Sequence, residues 1–259
     1  MTVLLVLIPL FAMLIAFISN MSGIGGGALL VLFFLYYAGL SSVSAGGLSL
    51  ITIATSSLIG SYSNIRQGFI NASLFKVLLV TGLVGVFIGS VLSFMVPTSL
   101  FKGVFGLIPL IIGSISLIFA LKQRKPYKFD KPKNYFDRGI SSVGLLAGVI
   151  SGFTGMGIGG VTGTYLTSMR RMHPKTVFST IILAMIITSV FGGLLHLGSI
   201  SFPVYTVIYI PLLVIGAVVG ALLGARLSSV VKSNYLRLFQ AIVIIATGIL
   251  AISIYFLEL

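Results

Sequence analysis

Apolar runs separated by short polar or glycine-rich breaks take up nearly the whole chain, at 2–19, 26–38, 43–61, 72–95, 99–121, 139–153, 158–169, 176–196, 203–224 and 234–257. A helix rises about 1.5 Å per residue, so about 20 residues are needed to cross ~30 Å of hydrocarbon. Most of the runs reach that length; those at 26–38, 139–153 and 158–169 do not. The pattern therefore predicts an all-α, polytopic membrane protein in which the first pair of runs in each half forms a hairpin or re-entrant element. Irregular backbone at the tip of such an element survives inside a membrane only where it is buried in protein or lines a cavity.

Both tips carry the same unusual composition, Ser22-Gly23-Ile24-Gly25-Gly26-Gly27 and Thr154-Gly155-Met156-Gly157-Ile158-Gly159-Gly160. Setting Gly23 against Gly155 fixes one offset that also aligns Gly25 with Gly157, Gly27 with Gly159 and Ser19 with Ser151. The chain reads as a duplication. Each glycine costs a helix interior about 1 kcal/mol relative to Ala, so each copy is expected to be helix, break, helix. The second helix of each copy would start with free N–H groups and the positive end of its dipole, an arrangement suited to an anion. Glycines also let membrane helices pack closely, but corresponding breaks in two halves are where transporter architecture puts a substrate.

Composition sharpens the class. Hydrophobic residues make up 58% of the chain and charged ones 7%, with mean hydropathy +1.21, far from a soluble domain at about 25% charged. The net charge of +13 comes from residues lying between apolar runs, where they set topology and meet anionic headgroups; nucleic acid is not an expected partner. The absence of Cys removes disulfides and thiolate metal sites together. The acidic residues are Asp130, Asp137 and Glu258, none inside an apolar run. A cation or metal transporter would be expected to carry one there.

The polar segment 122–138 holds seven Lys or Arg, which makes it cytoplasmic by the positive-inside rule. It divides a first membrane repeat, 1–121, from a second, 139–259. Counting outward from it puts Arg66, the Arg170, Arg171 and Lys175 group, and the Arg226, Lys232 and Arg237 group inside, and the uncharged connections at 39–42 and 197–202 outside. Corresponding connections then take opposite sides, so the repeats should be inverted, each with about three full spans beside its broken element, for 8–10 membrane segments. Gly85 and Gly89 resemble Gly216 and Gly220 and read as helix packing; Pro109 and Pro211 should kink their helices.

Ser49, Thr52 and Ser56 make a hydroxyl stripe on one face of the third run, with Thr55 beside it, and Ser179, Thr180, Thr188 and Ser189 are its partners in the second half. Such hydroxyls can bind oxyanion oxygens, or simply bond their own helix. Arg66 and His196 occupy similar places after the third spans, as charges at the mouths of an anion path or as ordinary interfacial residues; Asn20 and Asn64 are weaker candidates. With no Cys, only His173 and His196 as histidines, and no acid in a span, neither a metal site nor a buried catalytic dyad can be assembled. No cofactor is implied.

GIGGG at 23–27 and GMGIGG at 155–160, with the small and hydroxyl-rich run Ala45–Ser57 and the element Arg66–Ile70, resemble the paired signatures of the TauE/SafE family of sulfite exporters. The resemblance covers both halves and departs from the pattern where Ile158 replaces a glycine. It implies a cell-membrane transporter of sulfite, sulfonates or related organosulfur anions, not an enzyme, working by alternating access. The implied substrate site is formed by Ser22, Gly23, Gly25, Gly26, Gly27, Thr154, Gly155, Gly157 and Gly159 at the tips and by Thr52, Ser56 and Thr188 on the third spans. A passive anion channel and a non-transporting membrane scaffold are the alternatives, and a homo-oligomer is compatible with any of them.

Overall fold

The computed structural model describes residues 2–23, 25–66, 68–122, 137–199 and 204–257. Most of the basic segment 122–138, including Asp130, lies outside them, as do Glu258 and the side chains of Ser22 and Asn64. The described residues form helices and their connections. Helix α1 (Thr2–Ser22) leads into the first glycine break and α2 (Gly27–Leu32), which runs on as a π turn over Phe33–Tyr37. Three long segments follow: α3 (Ser42–Arg66), α4 (Ala72–Met95), and a pair, α5 (Thr98–Phe105) and α6 (Leu107–Lys122). The second half repeats the order with α7 (Arg138–Thr154), α8 (Gly159–Thr164) with its π turn Tyr165–Met169, α9 (Pro174–Leu197), α10 (Tyr209–Val230) and α11 (Ser233–Leu257).

Six helical segments among the described residues are long and apolar enough to cross a membrane. The helical unit Gly27–Tyr37, at about 1.5 Å per residue, reaches only about half of the hydrocarbon thickness, and its counterpart from Gly159 is equally short; the run at 139–153 is instead the 17-residue α7, which covers most of that thickness. Each half-helix is anchored in its own apolar cluster: Leu30 to Leu35 pack with Phe101 and Phe105, while Ile158 and Leu166 pack with Leu74, Leu78 and Met185.

The packing exchanges the halves. Helix α1 lies along α10 of the other half, and α7 lies along α4; α3 also meets α10 and α9 meets α4; α3 pairs with α9 at the centre and α6 with α11. The central pair is the most enclosed, with 78% of the α3 span and 67% of the α9 span buried, so the hydroxyl-rich helices sit where a solute path would run.

Apolar side chains gain nothing by leaving lipid, so close approach of helices rests on small residues. A Cβ on Gly216, Gly220 or Gly224 would come within 2.1, 1.9 and 2.3 Å of the Pro9, Met13 and Phe17 carbonyl oxygens of α1. On the other side, Gly85 and Gly89 meet the Leu145 and Val149 carbonyls of α7. The packing role expected for these glycines is what they have. Gly220→Val is expected to force α10 from α1 and cost about 3 kcal/mol or more, at or above the top of the usual overpacking range because backbone cannot yield; the loss of a monodisperse peak in detergent gel filtration would show it.

Of the two prolines, Pro109 kinks its segment as expected and Pro211 does not. The 98–122 segment is interrupted at Gly106, between α5 and α6, with its backbone still right-handed, because the ring of Pro109 disfavours continuing the helix onto the Phe105 carbonyl. Pro211 lies in the first turn of α10, after a 3₁₀ turn at Val204–Ile208. There it starts a helix instead of bending one.

Candidate functional site at the paired glycine breaks

The two breaks share a backbone as well as a sequence. Gly23 and Gly155 have φ of 65° and 74°, and Gly25 and Gly157 have φ of 95° and 82°, a left-handed region that costs an L-residue about 1–2 kcal/mol. The correspondence ends where the sequence departs. Gly26, the N-cap of α2, is left-handed at φ 61°, whereas its counterpart Ile158 is right-handed at φ −74°. The second tip therefore tolerates a β-branched residue at that place.

The tips meet. A Cβ on Gly25 would come 2.8 Å from the Met156 carbonyl oxygen and 3.5 Å from the Gly157 Cα; one on Gly27 would come 2.4 Å from the Gly155 carbonyl oxygen. Gly155 in turn lies against Gly46 of α3, its Cβ position 2.6 Å from the Gly46 Cα. Ser49 binds the two breaks together: its Oγ lies 2.7 Å from the Gly155 carbonyl oxygen and 3.1 Å from that of Gly27. One hydroxyl of α3 thus spans the two halves of the chain.

The other hydroxyls are placed differently. Thr52 donates to the Leu48 carbonyl, Ser56 to Ile53 and Thr188 to Ala184, each within its own helix. Thr154 donates to the Ile150 carbonyl and accepts from the Met156 N–H, so it shapes the second tip. In this conformation the protons of these hydroxyls are directed at backbone. Asn20 ties the end of α1 to α3: its amide N–H donates to the Ala16 and Ser56 carbonyls, while its Oδ1 presses on Gly60, where a Cβ would be 1.5 Å away.

A narrow cleft opens beside the tips, lined by Gly26, Gly157 and Gly160 and by apolar Pro109, Ile112 and Ile244. Its walls carry no basic side chain, and their one hydroxyl, that of Thr247, donates to the Val243 carbonyl. A second cavity is mixed, with Asn20, Lys175, Ser179 and Ser228 set among Phe69, Phe178 and other apolar side chains; Phe178 abuts Gly23, so this vestibule ends at the first tip. His173, N-cap of α9, has its pKa lowered by burial and then by Lys175; Lys175 is the basic residue that lines the cavity.

Arg66 and His196 separate. Arg66 is exposed at the end of α3, its guanidinium 4.5 Å from the centre of the Tyr62 ring. His196 is fully buried and packs against Gly46, beside the second tip. The offset that aligns both tips and both π turns sets Asn64, not Arg66, opposite His196. Arg170 is held at the base of the second hairpin by Asp137 and by the Tyr165 hydroxyl at 3.0 Å. The hydrogen bond to Tyr165, and to a smaller extent the charge of Asp137, raises the Arg170 pKa above its ordinary value.

Sequence reasoning left Ser49 undistinguished within its stripe and overlooked Gly46; nothing in the local sequence says which hydroxyl faces a carbonyl of the other half. Arg237, grouped by its sequence position with the inside charges, has a structural partner that the sequence does not name. Arg237 is 2% exposed, and its guanidinium donates to the Phe119 carbonyl in the last turn of α6, where the helix dipole favours a cation.

A sequence model of the family described as Sulfite exporter TauE/SafE matches residues 8–251, both tips and every long helix included. The chain belongs to the TauE/SafE family. It is therefore a multi-pass membrane transporter of the sulfite-exporter type and not an enzyme. No curated protein matches it, nor does any solved structure.

Proposed function

We propose that the paired tips of this TauE/SafE transporter hold a small sulfur-containing anion, sulfite or an organosulfonate, carried across the cell membrane by alternating access of two inverted repeats, with 122–138 on the cytoplasmic side. The observation that carries this reading is that both glycine breaks converge on one point and are bridged there by Ser49. The helical units Gly27–Leu32 and Gly159–Thr164 start from these breaks, and the first-turn N–H groups and dipole at the start of a helix stabilise negative charge. Asp137 is the only acidic residue among the described residues, and it lies outside the spans. Nothing anionic competes with the substrate there.

Gly23, Gly25, Gly26, Gly27, Gly155, Gly157 and Gly159 supply the backbone of the site and Thr154 shapes it, with Ser22 at the end of α1. Thr52, Ser56 and Thr188 would have to release their helix carbonyls to take part. Lys175 and its vestibule make the cytoplasmic mouth, drawing anions toward the first tip. The exchange of partners between halves, α1 with α10 and α7 with α4, gives each repeat a rigid counterpart against which to rock.

Thermal transitions of the detergent-purified protein with sulfite, thiosulfate, sulfate, sulfoacetate, taurine and chloride test the site. A ligand at a hundred times its Kd stabilises the folded state by about 2.7 kcal/mol. Selective stabilisation by a sulfur anion is expected; equal shifts with chloride, or none, would remove the anion site. In vesicles, saturating flux is expected, and a linear dependence on concentration would mark a channel.

A further inference from the structure

We propose that His196 is a proton-binding site coupled to the anion, so that one proton is bound with each anion and travels with it. This rests on the tips being the anion site. His196 is the penultimate residue of α9, at the negative end of that helix dipole, and is fully buried. Its Nδ1 lies 2.8 Å from the Gly192 carbonyl oxygen. A carbonyl only accepts, so Nδ1 carries a hydrogen and Nε2 holds the lone pair of the neutral ring.

Nε2 points away from its own helix, into the place where three other elements meet. It is 3.4 Å from Ser93 Oγ on α4 and 3.4 Å from where a Cβ of Gly46 on α3 would be; that same Cβ would lie 3.9 Å from the Gly155 Cα. The Phe94 ring closes the pocket edge-on at 5.2 Å. A proton added at Nε2 therefore puts a positive charge next to the second tip, with the Ser93 oxygen to receive its hydrogen bond. Loss of that proton returns the ring to a neutral acceptor without moving Nδ1 from Gly192.

Among the described residues no carboxylate lies near the ring, and Lys102 of α5, the helix that meets the start of α3, is turned onto the Tyr36 ring, 4.5 Å from its centre. The charged residues of the four helices that form the pocket are Arg66 on α3, Lys76 on α4, Arg138 on α7 and Lys175 on α9, each near the opposite end of its helix from the contact with His196. At about 1.5 Å per residue each is roughly 25–30 Å away. An imidazolium at this position has no carboxylate to balance it, and the substrate anion at the tip is the counter-charge the site lacks. The two ligands then bind cooperatively, and by linkage each raises the affinity of the other by the same factor.

The coupling has a definite sign. Where His196 is neutral in the free protein and protonated in the complex, anion affinity falls by about tenfold for each unit of rising pH. The probe is methanesulfonate, which stays monoanionic near neutral pH, followed by sulfite. Across about pH 6 to 8, spanning the ordinary histidine range, the thermal-shift affinity of the wild type should follow that slope, and His196→Gln should vary by less than about twofold.

A second readout needs no substitution at His196. The chain has two histidines, so ¹⁵N-histidine labelling of His173→Asn, which keeps a capping residue at the start of α9, leaves one imidazole to observe in nanodiscs. The free protein should show a neutral ring protonated at Nδ1, and methanesulfonate should convert it to imidazolium. If the anion raises the thermal transition while the imidazole stays neutral, or if His196→Gln keeps the full pH slope, the coupling is wrong and the anion site stands. If neither anion raises the transition at any pH, the site reading fails and the coupling fails with it.

Discussion

Gly155→Ala is expected to abolish transport and to lower the thermal transition sharply, while Gly39→Ala, equally left-handed, is expected to leave transport near wild type. Both glycines have positive φ, 74° and 65°, so both substitutions carry the same intrinsic strain of about 1–2 kcal/mol. They differ in what the new methyl group meets. At Gly39 nothing lies within 4 Å; at Gly155 the methyl carbon would be 2.6 Å from the Gly46 Cα and 2.9 Å from its carbonyl oxygen. Backbone on the central helix cannot rotate away as a side chain can, so overpacking adds about 1–3 kcal/mol. Part of that is relieved by moving the second tip off α3, which separates it from Ser49 and from the first tip. Paired measurements of thermal transition and vesicle flux on the two variants separate strain from contact: similar losses in both would mean that the meeting of tip and α3 is not what the glycine secures.

Ser49→Ala should reduce transport by about tenfold or more with folded protein still recovered, and Thr52→Val, Ser56→Ala and Thr188→Val should each cost far less. Ser49 is fully buried, and its Oγ is within hydrogen-bonding distance of carbonyls from both breaks. The Gly155 carbonyl stands at the end of α7, outside the helix ladder, and leaving such an acceptor unpaired costs about 1–3 kcal/mol. A loss of 1.4 kcal/mol in the geometry that binds the transition state is about a factor of ten in rate. The carbonyls bonded by Thr52, Ser56 and Thr188 belong to their own helices and keep their ladder partners when the hydroxyl goes, so no acceptor is left unpaired. Flux normalised to purified protein, across the four variants, gives the ranking. A ranking with Thr188 or Thr52 first would move the site from the bridged tips to the helix faces.

That ranking could not have been made from the hydroxyl stripe alone. Ser49, Thr52 and Ser56 have the right spacing for one face, and the structure confirms that α3 is central, but spacing is blind to the partner. Ser49 differs from Thr52 because it is level with the two glycine breaks, one of them more than a hundred residues away in the chain. His196 shows the same limit. Its place near the end of a span reads as interfacial, and only the crossing of α3, α4 and the second tip at that point buries it.

What the sequence by itself determined follows from local physics: the long spans from run length against membrane thickness, the half-helices from runs too short to cross, the breaks from glycine's cost in a helix, and the duplication from one constant offset. It also held the packing glycines, because small residues at fixed spacing have one main use in lipid. What only the tertiary structure decided is which distant groups meet: the two tips against each other, Ser49 between them, His196 behind Gly46, Lys175 at the vestibule, Arg237 on the end of α6. A membrane helix hides its partner because lipid makes every apolar face equally acceptable. The choice among faces is settled by backbone contacts and a few hydrogen bonds from the other half of the chain.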